Sequence, residues 1–201
     1  MGYSFTGWNT AADGSGTAYP VDTVIVMGAG HMKLFAQWTK NTYTVTFYKN
    51  DTSATGDMEA QAIDFGQSAN LTSNGFSFTD HSFAGWATSE DGEVEYHNEA
   101  EYTMGVGDDK LYAVWTINRY LVRFNPQGGS DVDSQYVSYN DTVAKPADPT
   151  RTGYVFDGWY EDSGCTQKWD FGTMKITAAD TIYAKWLIVY TVTFDGRSAN
   201  T

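Results

Sequence analysis

The 201-residue chain carries 12 Lys and Arg residues against 25 Asp and Glu residues, which gives a formal net charge of −13. Because this charge would repel a phosphate backbone or an anionic bilayer, it argues against nucleic acid and membrane surfaces as partners. The single cysteine, Cys165, excludes an internal disulfide, and no CxxC pair or Cys/His cluster has the spacing of a zinc site. No cofactor is therefore predicted.

No stretch approaches the roughly 20 apolar residues that span a bilayer. Met1 is followed at once by GYSFTGW, which lacks the basic and apolar regions of a signal peptide. We therefore expect the chain to be an excised piece of a longer protein. Its composition is 16% aromatic and only 18% charged, with 20 Gly residues, which favours short strands with aromatic cross-strand pairs over helices.

Three aromatic markers recur along the chain at one period, which indicates tandem repeats. The first is a Gly-Trp pair whose copies are 78 and 73 residues apart, at Trp8, Trp86 and Trp159. An Ala-x-Trp marker follows each pair at spacings of 77 and 71, ending at Trp38, Trp115 and Trp186. The third, Tyr-x-Val-x-Phe, recurs at spacings of 77 and 70 and ends at Phe47, Phe124 and Phe194.

The markers divide the chain into four segments. Residues 1–40 are predicted to be the C-terminal part of a first repeat, 41–116 a complete second repeat, 117–186 a complete third repeat, and 187–201 the opening strand of a fourth. The second repeat holds 13 acidic and 2 basic residues, net −11, whereas residues 118–186 hold 9 acidic and 7 basic residues, net −2. The charge varies while the aromatic framework does not, so the Trp markers are interpreted as core residues.

Each marker alternates with period two, which predicts β-strands. In the third repeat Tyr120, Val122 and Phe124 share one face of the opening strand. Each Gly of the Gly-Trp pairs lies at the end of an aromatic strand, where a missing side chain admits a bulge or the close approach of a neighbouring ring. Replacing Gly158 with Val is therefore predicted to unfold the third repeat.

The third repeat closely resembles the Listeria-Bacteroides repeat, also called the internalin B-repeat. The resemblance lies in PTRTGYVFDGWY at 149–160, WDF at 169–171, TIYAKW at 181–186, and the opening strand with its Asn-x-x-Gly-Gly turn at 120–129. It covers residues 117–186 almost completely and extends in pieces over the rest of the chain.

This resemblance implies a mainly β fold made of tandem modules, each a small variant of the ubiquitin-like β-grasp with little helix. Linkers as short as Thr116-Ile117 would join the modules into an elongated, stiff rod. The resemblance further implies a large secreted or wall-attached bacterial surface protein of Gram-positive type, in which such repeats serve as stalks and adhesion-associated modules. No catalytic residues are implied.

The second repeat departs from the family pattern. His81 stands where Tyr3 and Tyr154 stand, Asp80 replaces the motif glycine, and no Pro-x-Arg precedes it. The turn after Phe47 also differs. We therefore expect the loops of this repeat to differ in shape and in partner.

Residues 90–101 hold six carboxylates and one histidine, which is the densest polar group in the sequence. Calcium prefers such oxygen ligands, but the spacing is not that of an EF-hand loop, and a run of acids is more often a solvated face. Paired carboxylates would suit a glycosidase only across a cleft. Neither GxSxG nor HExxH is present, so an enzyme is not predicted.

A carbohydrate-binding module is the alternative function, because exposed aromatic rings stack on sugars. The candidate residues are those outside the core markers: Tyr96, Tyr139, Tyr160 and Trp169. The partner would then be a glycan. If the chain is instead a stalk, the partner would be a host or bacterial surface protein, or the neighbouring repeats of the parent protein.

A second alternative is a head-to-tail polymer. Residues 1–40 lack an opening strand and residues 190–194 supply one, so one copy would donate a strand to the next. A concentration-independent monomer of 22 kDa would contradict this hypothesis.

Overall fold

A computed structural model of the chain describes residues 2–194. Within that range the chain forms thirteen β-strands and no helix. The residues divide into two compact units, one ending at Thr116 and the other beginning at Ile117. The predicted mainly β architecture is therefore confirmed.

The first unit opens with a three-stranded antiparallel sheet made of β1 (Tyr3–Asn9), β2 (Ala18–Pro20) and β3 (Phe35–Lys40). The strand order is β2-β1-β3, so β1 is central. Both Trp markers of this segment lie on these strands and are exposed, Trp8 to 43% and Trp38 to 60%. The interpretation of the Trp markers as core residues is therefore wrong for these two.

The rest of the first unit holds a four-stranded sheet in the order β5-β4-β9-β7 and a separate two-stranded sheet, β6-β8. The central pair, β4 and β9, is parallel, whereas β4 and β5 are antiparallel. The strands are β4 (Thr42–Tyr48), β5 (Gln61–Asp64), β6 (Ser68–Asn70), β7 (His81–Ala87), β8 (Glu101–Thr103) and β9 (Asp109–Ile117).

The second unit repeats the four-stranded arrangement, with the order β11-β10-β13-β12. Its central pair, β10 and β13, is again parallel, and both outer pairs are antiparallel. The strands are β10 (Arg119–Asn125), β11 (Gln135–Ser138), β12 (Tyr154–Tyr160) and β13 (Asp180–Ile188).

The cores of the two four-stranded sheets use the same marker positions, because period two turns alternate side chains inward. Val45 and Phe47 of β4 are buried, as are Val122 and Phe124 of β10. Fully burying each such side chain contributes about 1.5 to 3 kcal/mol. Further buried members are Ile63, Trp86, Leu111 and Ala113 in the first core, and Val137, Trp159, Ile182 and Ala184 in the second.

A β-bulge interrupts β12 where the sequence places its Gly-Trp pair. The register with β13 shifts between Phe156 and Gly158, and Gly158 has φ of +134°. A Cβ atom there would lie 2.6 Å from Lys168 Cε. The predicted bulge is therefore present, while the close neighbour is a lysine side chain and not the predicted aromatic ring. Strand β1 has the same shift between Phe5 and Gly7.

Within the first unit, Asn41 connects the opening sheet to the repeat that follows it. The backbone N–H of Asn41 donates to the Gly2 carbonyl at 3.0 Å, and its own carbonyl accepts from the N–H of Phe65 at 2.8 Å. The Phe65 ring packs edge-on against Tyr3, with centroids 5.8 Å apart. Backbone bonds and one aromatic pair thus connect the two sheets.

After β13, residues 189–194 form no strand, and Phe194 is 89% exposed. The predicted opening strand of a fourth repeat, 187–201, extends into residues 195–201, which lie outside the described residues. It therefore stays a prediction, as does the strand-donating polymer. No helix of membrane-spanning length and hydropathy occurs between residues 2 and 194.

Candidate functional site

Two of the four predicted sugar-stacking residues are buried. Tyr160 and Trp169 are each only 7% exposed, and Trp169 is part of the core of the third repeat. The backbone N–H of Trp169 donates to the Trp159 carbonyl at 2.8 Å, which holds the ring over the bulged strand. The expectation that these two rings are exposed is wrong, because the chain folds each one inward.

Tyr160 is further enclosed by a polar cluster. Its hydroxyl donates to Asp157 Oδ2 at 2.6 Å, and Lys185 Nζ lies 3.7 Å from the same oxygen. The Lys185 ammonium also lies 4.7 Å from the centre of the Tyr160 ring, a cation–π distance. The face that a sugar would contact is therefore already covered.

The same contacts shift the pKa values of this cluster. The hydrogen bond from Tyr160 lowers the pKa of Asp157, and the two lysines nearby act in the same direction. The pKa of Tyr160 rises, chiefly because its hydroxyl proton is donated to Asp157. Both shifts favour the charged carboxylate and the neutral phenol, a pair within β12 that Lys185 of β13 contacts.

The other two predicted residues are half-buried. Tyr96 packs on the core of the second repeat and meets Tyr102 edge-on, with ring centroids 5.2 Å apart. The backbone N–H of Tyr139 donates to the Asn118 carbonyl at 2.8 Å, as Phe65 does to Asn41 in the first unit. The four predicted residues are spread over both units and do not converge on one site. Sugar binding at them is untested.

The acidic run at 90–101 lies in a loop and a short strand. The Glu95 carboxylate accepts a hydrogen bond from the Thr88 hydroxyl, and the other acidic side chains of the run are exposed. Nowhere in the described part of the chain do three or more Asp, Glu, His or Cys side chains gather as a metal would require. The run thus has the character of a solvated face.

A solvent-open cavity of about 360 Å³ lies at one end of the second repeat. We call it the second-repeat cavity. Carboxylates and aromatic rings both line it, and its walls are Asn50, Asp51, Phe78, His81, Glu90, Asp91, Gly92, Ala113, Val114 and Trp115. Sequence reasoning did not single out this set as a site.

Hydrogen bonds fix the walls of the second-repeat cavity. The Asn50 amide donates to the carbonyls of Glu90, at 2.8 Å, and Ala113, at 3.1 Å. The Trp115 indole donates to the Lys49 carbonyl at 2.8 Å. Phe78 stacks flat on His81, with centroids 3.9 Å apart and an interplanar angle of 7°. The backbone that carries Glu90 is thus held to the turn at Asn50.

The third repeat builds the equivalent frame with different side chains. The Trp186 indole donates to the Pro126 carbonyl at 2.8 Å, as Trp115 does to Lys49, and the Gln127 amide donates to the Ser163 carbonyl at 3.3 Å, as Asn50 does to Glu90. Here Arg151 takes the place of Phe78. Its guanidinium lies 3.9 Å above the Tyr154 ring and donates to the Gln127 carbonyl at 3.0 Å.

The sequence signal for this difference was the set of family departures in the second repeat. His81 replaces Tyr154, and the missing Pro-x-Arg motif is the missing arginine of this frame. The expectation that the loops of the second repeat differ in shape is confirmed, and the expected difference in partner stays a prediction. It did not identify the cavity, because the walls come from four separate parts of the chain.

Fold and site together define a tandem region of β-sheet repeats. The profile of the Listeria-Bacteroides repeat domain matches the chain at residues 1–37, 43–114 and 120–185. The chain therefore belongs to the Listeria-Bacteroides repeat family, as its sequence motifs indicated.

Longer bacterial proteins carry similar segments. The chain is 38% identical over 211 residues to a protein of Evansella cellulosilytica described as a Gly-rich membrane protein, covering 99% of the chain and 24% of that protein. A second membrane protein of the same organism is 34% identical over 98% of the chain and 28% of its own length. Internalin H of Listeria monocytogenes is 36% identical over 107 residues, covering 53% of the chain and 19% of internalin H. The chain thus spans about a quarter or less of each relative.

Proposed function

We propose that the chain is a non-catalytic spacer region of a bacterial cell-surface protein, with an adhesion-associated role. The observation that carries the proposal is the recurrence of one mixed sheet, with a parallel central pair and matching core positions, in two consecutive repeats. Repeats that each bury their own core extend a chain without requiring a catalytic centre. Kinship to internalin H and to proteins described as membrane proteins supports the surface location.

We further propose that each module is a β-grasp variant. The support is the order of its four strands, in which an opening antiparallel hairpin places its first strand parallel to the last strand of the module. Between the hairpin and the remaining strands, where a β-grasp has its helix, the third repeat has irregular chain and the second repeat has irregular chain with the short strand β6. Elongation into a rod is the third part of the proposal.

Small-angle scattering tests the rod. A compact 201-residue globule would have a radius of gyration of about 17 Å, whereas three modules in a row would give about 25 Å. We expect the larger value, independent of protein concentration. A radius near 17 Å would contradict the spacer function, and a mass that rises with concentration would favour the strand-donating polymer.

Surface location is tested separately on the bacterium that produces the protein. An antibody raised against residues 41–186 should label intact cells, and the label should disappear after brief trypsin treatment. Signal found only in the culture medium would show a secreted protein. Signal that appears only after cell lysis would contradict both locations.

A further inference from the structure

The second-repeat cavity differs from its counterpart in the third repeat chiefly in charge. Asp51, Glu90 and Asp91 stand at the positions of Gly128, Ser163 and Gly164, so the second repeat gains three carboxylates. The counterpart has two bases, Arg151 and Lys185, at the positions of Phe78 and Val114. The frame is therefore common, while its charge differs, since the second repeat carries three carboxylates and the third carries Arg151 together with Lys185, which is paired with Asp157.

In the third repeat this frame holds the side chain of Arg151. The Arg151 guanidinium stacks on the aromatic ring at position 154, donates to the turn carbonyl of Gln127, and packs 3.4 Å from the position of a Cβ on Gly128. A guanidinium thus fits between the turn and the aromatic side chain. In the second repeat Phe78 takes the position of the arginine and stacks on His81, so what remains for a ligand is the open side of the cavity, lined by Phe78, Trp115 and the carboxylates.

We propose that the second-repeat cavity binds an arginine side chain of a protein partner. A planar guanidinium stacks on aromatic faces and pairs with carboxylates in the same site, and Phe78, Trp115, Glu90 and Asp91 offer both kinds of contact. The net charge of −11 on residues 41–116, from 13 acids and 2 bases, attracts a basic partner over a longer range.

Arginine suits the cavity better than the other cationic ligands. The carboxylates are not gathered closely enough for a metal ion, since no group of three metal-ligating side chains occurs among the described residues. A lysine ammonium would meet the carboxylates but lacks the flat face that matches the rings. The proposal goes beyond the spacer function and is independent of it, because a spacer needs no such cavity.

The test is an NMR titration of the full chain with acetyl-Gly-Arg-Gly-amide. The matched control peptide carries citrulline, which has the shape of arginine without its charge. We expect chemical-shift changes at the Trp115 indole, His81 and Gly92, with a dissociation constant of about 1 mM or above, as is usual for one exposed ion-paired contact. The citrulline peptide should bind at least about fivefold more weakly. The Trp186 indole should not move.

Three variants locate the binding. The double variant Glu90→Gln/Asp91→Asn should lose at least about fivefold in affinity, while Asp131→Asn/Asp133→Asn, the same charge change on exposed residues of the third repeat, should keep it. Phe78→Arg places the arginine of the third repeat into the second and should block the peptide from within the chain. Each variant is first checked for an unchanged amide spectrum away from the substitution.

The proposal fails if the arginine peptide moves no cavity resonance at 20-fold excess over about 1 mM. Equal binding of the citrulline peptide would overturn it, as would equal binding by both double variants. A titration with calcium chloride alone is the last arm. If calcium changed the chemical shifts of the cavity residues and the arginine peptide did not, the ligand would be a metal ion and the proposal would be wrong.

Discussion

The second and third repeats are built on one skeleton and present different surfaces. In both, buried Val and Phe residues of the opening strand face a fully buried Trp, and a parallel strand pair lies at the centre of the sheet. The polar residues around this skeleton differ, most clearly at the second-repeat cavity and at Asp157 with Tyr160. The buried aromatic residues and bulge glycines thus specify the fold, and the exposed positions are free to specify partners.

The largest expected effect tests whether the two cores are equivalent. Trp86→Ala and Trp159→Ala should each lower the free energy of unfolding of their own repeat by about 3 to 5 kcal/mol, because each leaves a large cavity in a packed core. Neither indole nitrogen has a hydrogen-bond partner in the structure. Trp→Phe at either site should therefore cost clearly less, since only packing is lost.

Urea denaturation followed by NMR resonances of β9 and β13 measures each repeat separately. Trp38→Ala is the matched control, since that side chain is 60% exposed and its loss should change stability little. A cost below about 1 kcal/mol at one of the two core positions would show that the cores are not equivalent.

Substituting the bulge glycine should destabilise the second repeat more than the third. A Cβ on Gly85 would lie 2.6 Å from the Tyr96 carbonyl oxygen, which is backbone, whereas a Cβ on Gly158 would meet the flexible end of Lys168. Gly85→Ala should therefore cost about 3 kcal/mol, and Gly158→Ala about 1 to 2, mainly from its positive φ. Gly158→Val is expected to cost more than Gly158→Ala.

Gly105→Ala is the control for this comparison, because nothing lies within 4 Å of its Cβ position. Thermal unfolding of the three Ala variants gives the order. If Gly158→Ala were as damaging as Gly85→Ala, the Lys168 side chain would have to be fixed and not free to move.

The long strands could be predicted from sequence because their alternation is strong. The markers ending at Phe47 and Phe124 predicted β4 and β10, and those ending at Trp115 and Trp186 predicted β9 and β13. Strands of three or four residues, such as β6 (Ser68–Asn70), were not predicted, since so short a segment carries no periodic pattern. Their pairing is determined by partners far along the chain.

The burial of Tyr160 was missed for a different reason. The bulge at Gly158 breaks period two, so that the successive residues Trp159 and Tyr160 are both buried. An alternating pattern would place them on opposite faces. The second-repeat cavity was missed because its walls are far apart in sequence and converge only through the fold, although the departures at His81 and at the Pro-x-Arg motif marked the region.

A smaller effect is expected where the two repeats use different residues for one backbone conformation. Asp80 has φ of +61°, the left-handed region, and the corresponding Gly153 has φ of +81°. Because glycine adopts this region without steric cost, Asp80→Gly should stabilise the second repeat by about 0.5 kcal/mol, the gain being reduced by glycine's greater freedom in the unfolded chain.

The reverse change, Gly153→Asp, should destabilise the third repeat by a similar amount. Urea midpoints of the two variants measure the pair. Destabilisation by both changes would mean that the Asp80 side chain contributes contacts beyond its backbone conformation.

The smallest effect is a pH dependence of the third repeat that comes from the contact between Asp157 and Tyr160. The folded pKa of Asp157 lies below its ordinary value of 3.8, chiefly because of the hydrogen bond from Tyr160. A lowered folded pKa means that the stabilisation is fully present above the ordinary value and is lost as the pH falls through the lowered pKa. The loss is small, because solvent screens a partly exposed carboxylate.

The second repeat supplies the control for this pH dependence, since Ala84 and Ala87 stand at the positions of Asp157 and Tyr160 and cannot form the pair. Tyr160→Phe removes the hydrogen bond while keeping the buried ring, so the urea midpoint of the third repeat should become less sensitive to acid, with no change in the second. Asp162 and Asp170 of the third repeat have lowered pKa values as well, through hydrogen bonds from Thr166 and Gly172. Part of the acid sensitivity should therefore remain in the Tyr160→Phe variant. If all of it remained, the contact between Asp157 and Tyr160 would contribute nothing to the stability of the folded repeat.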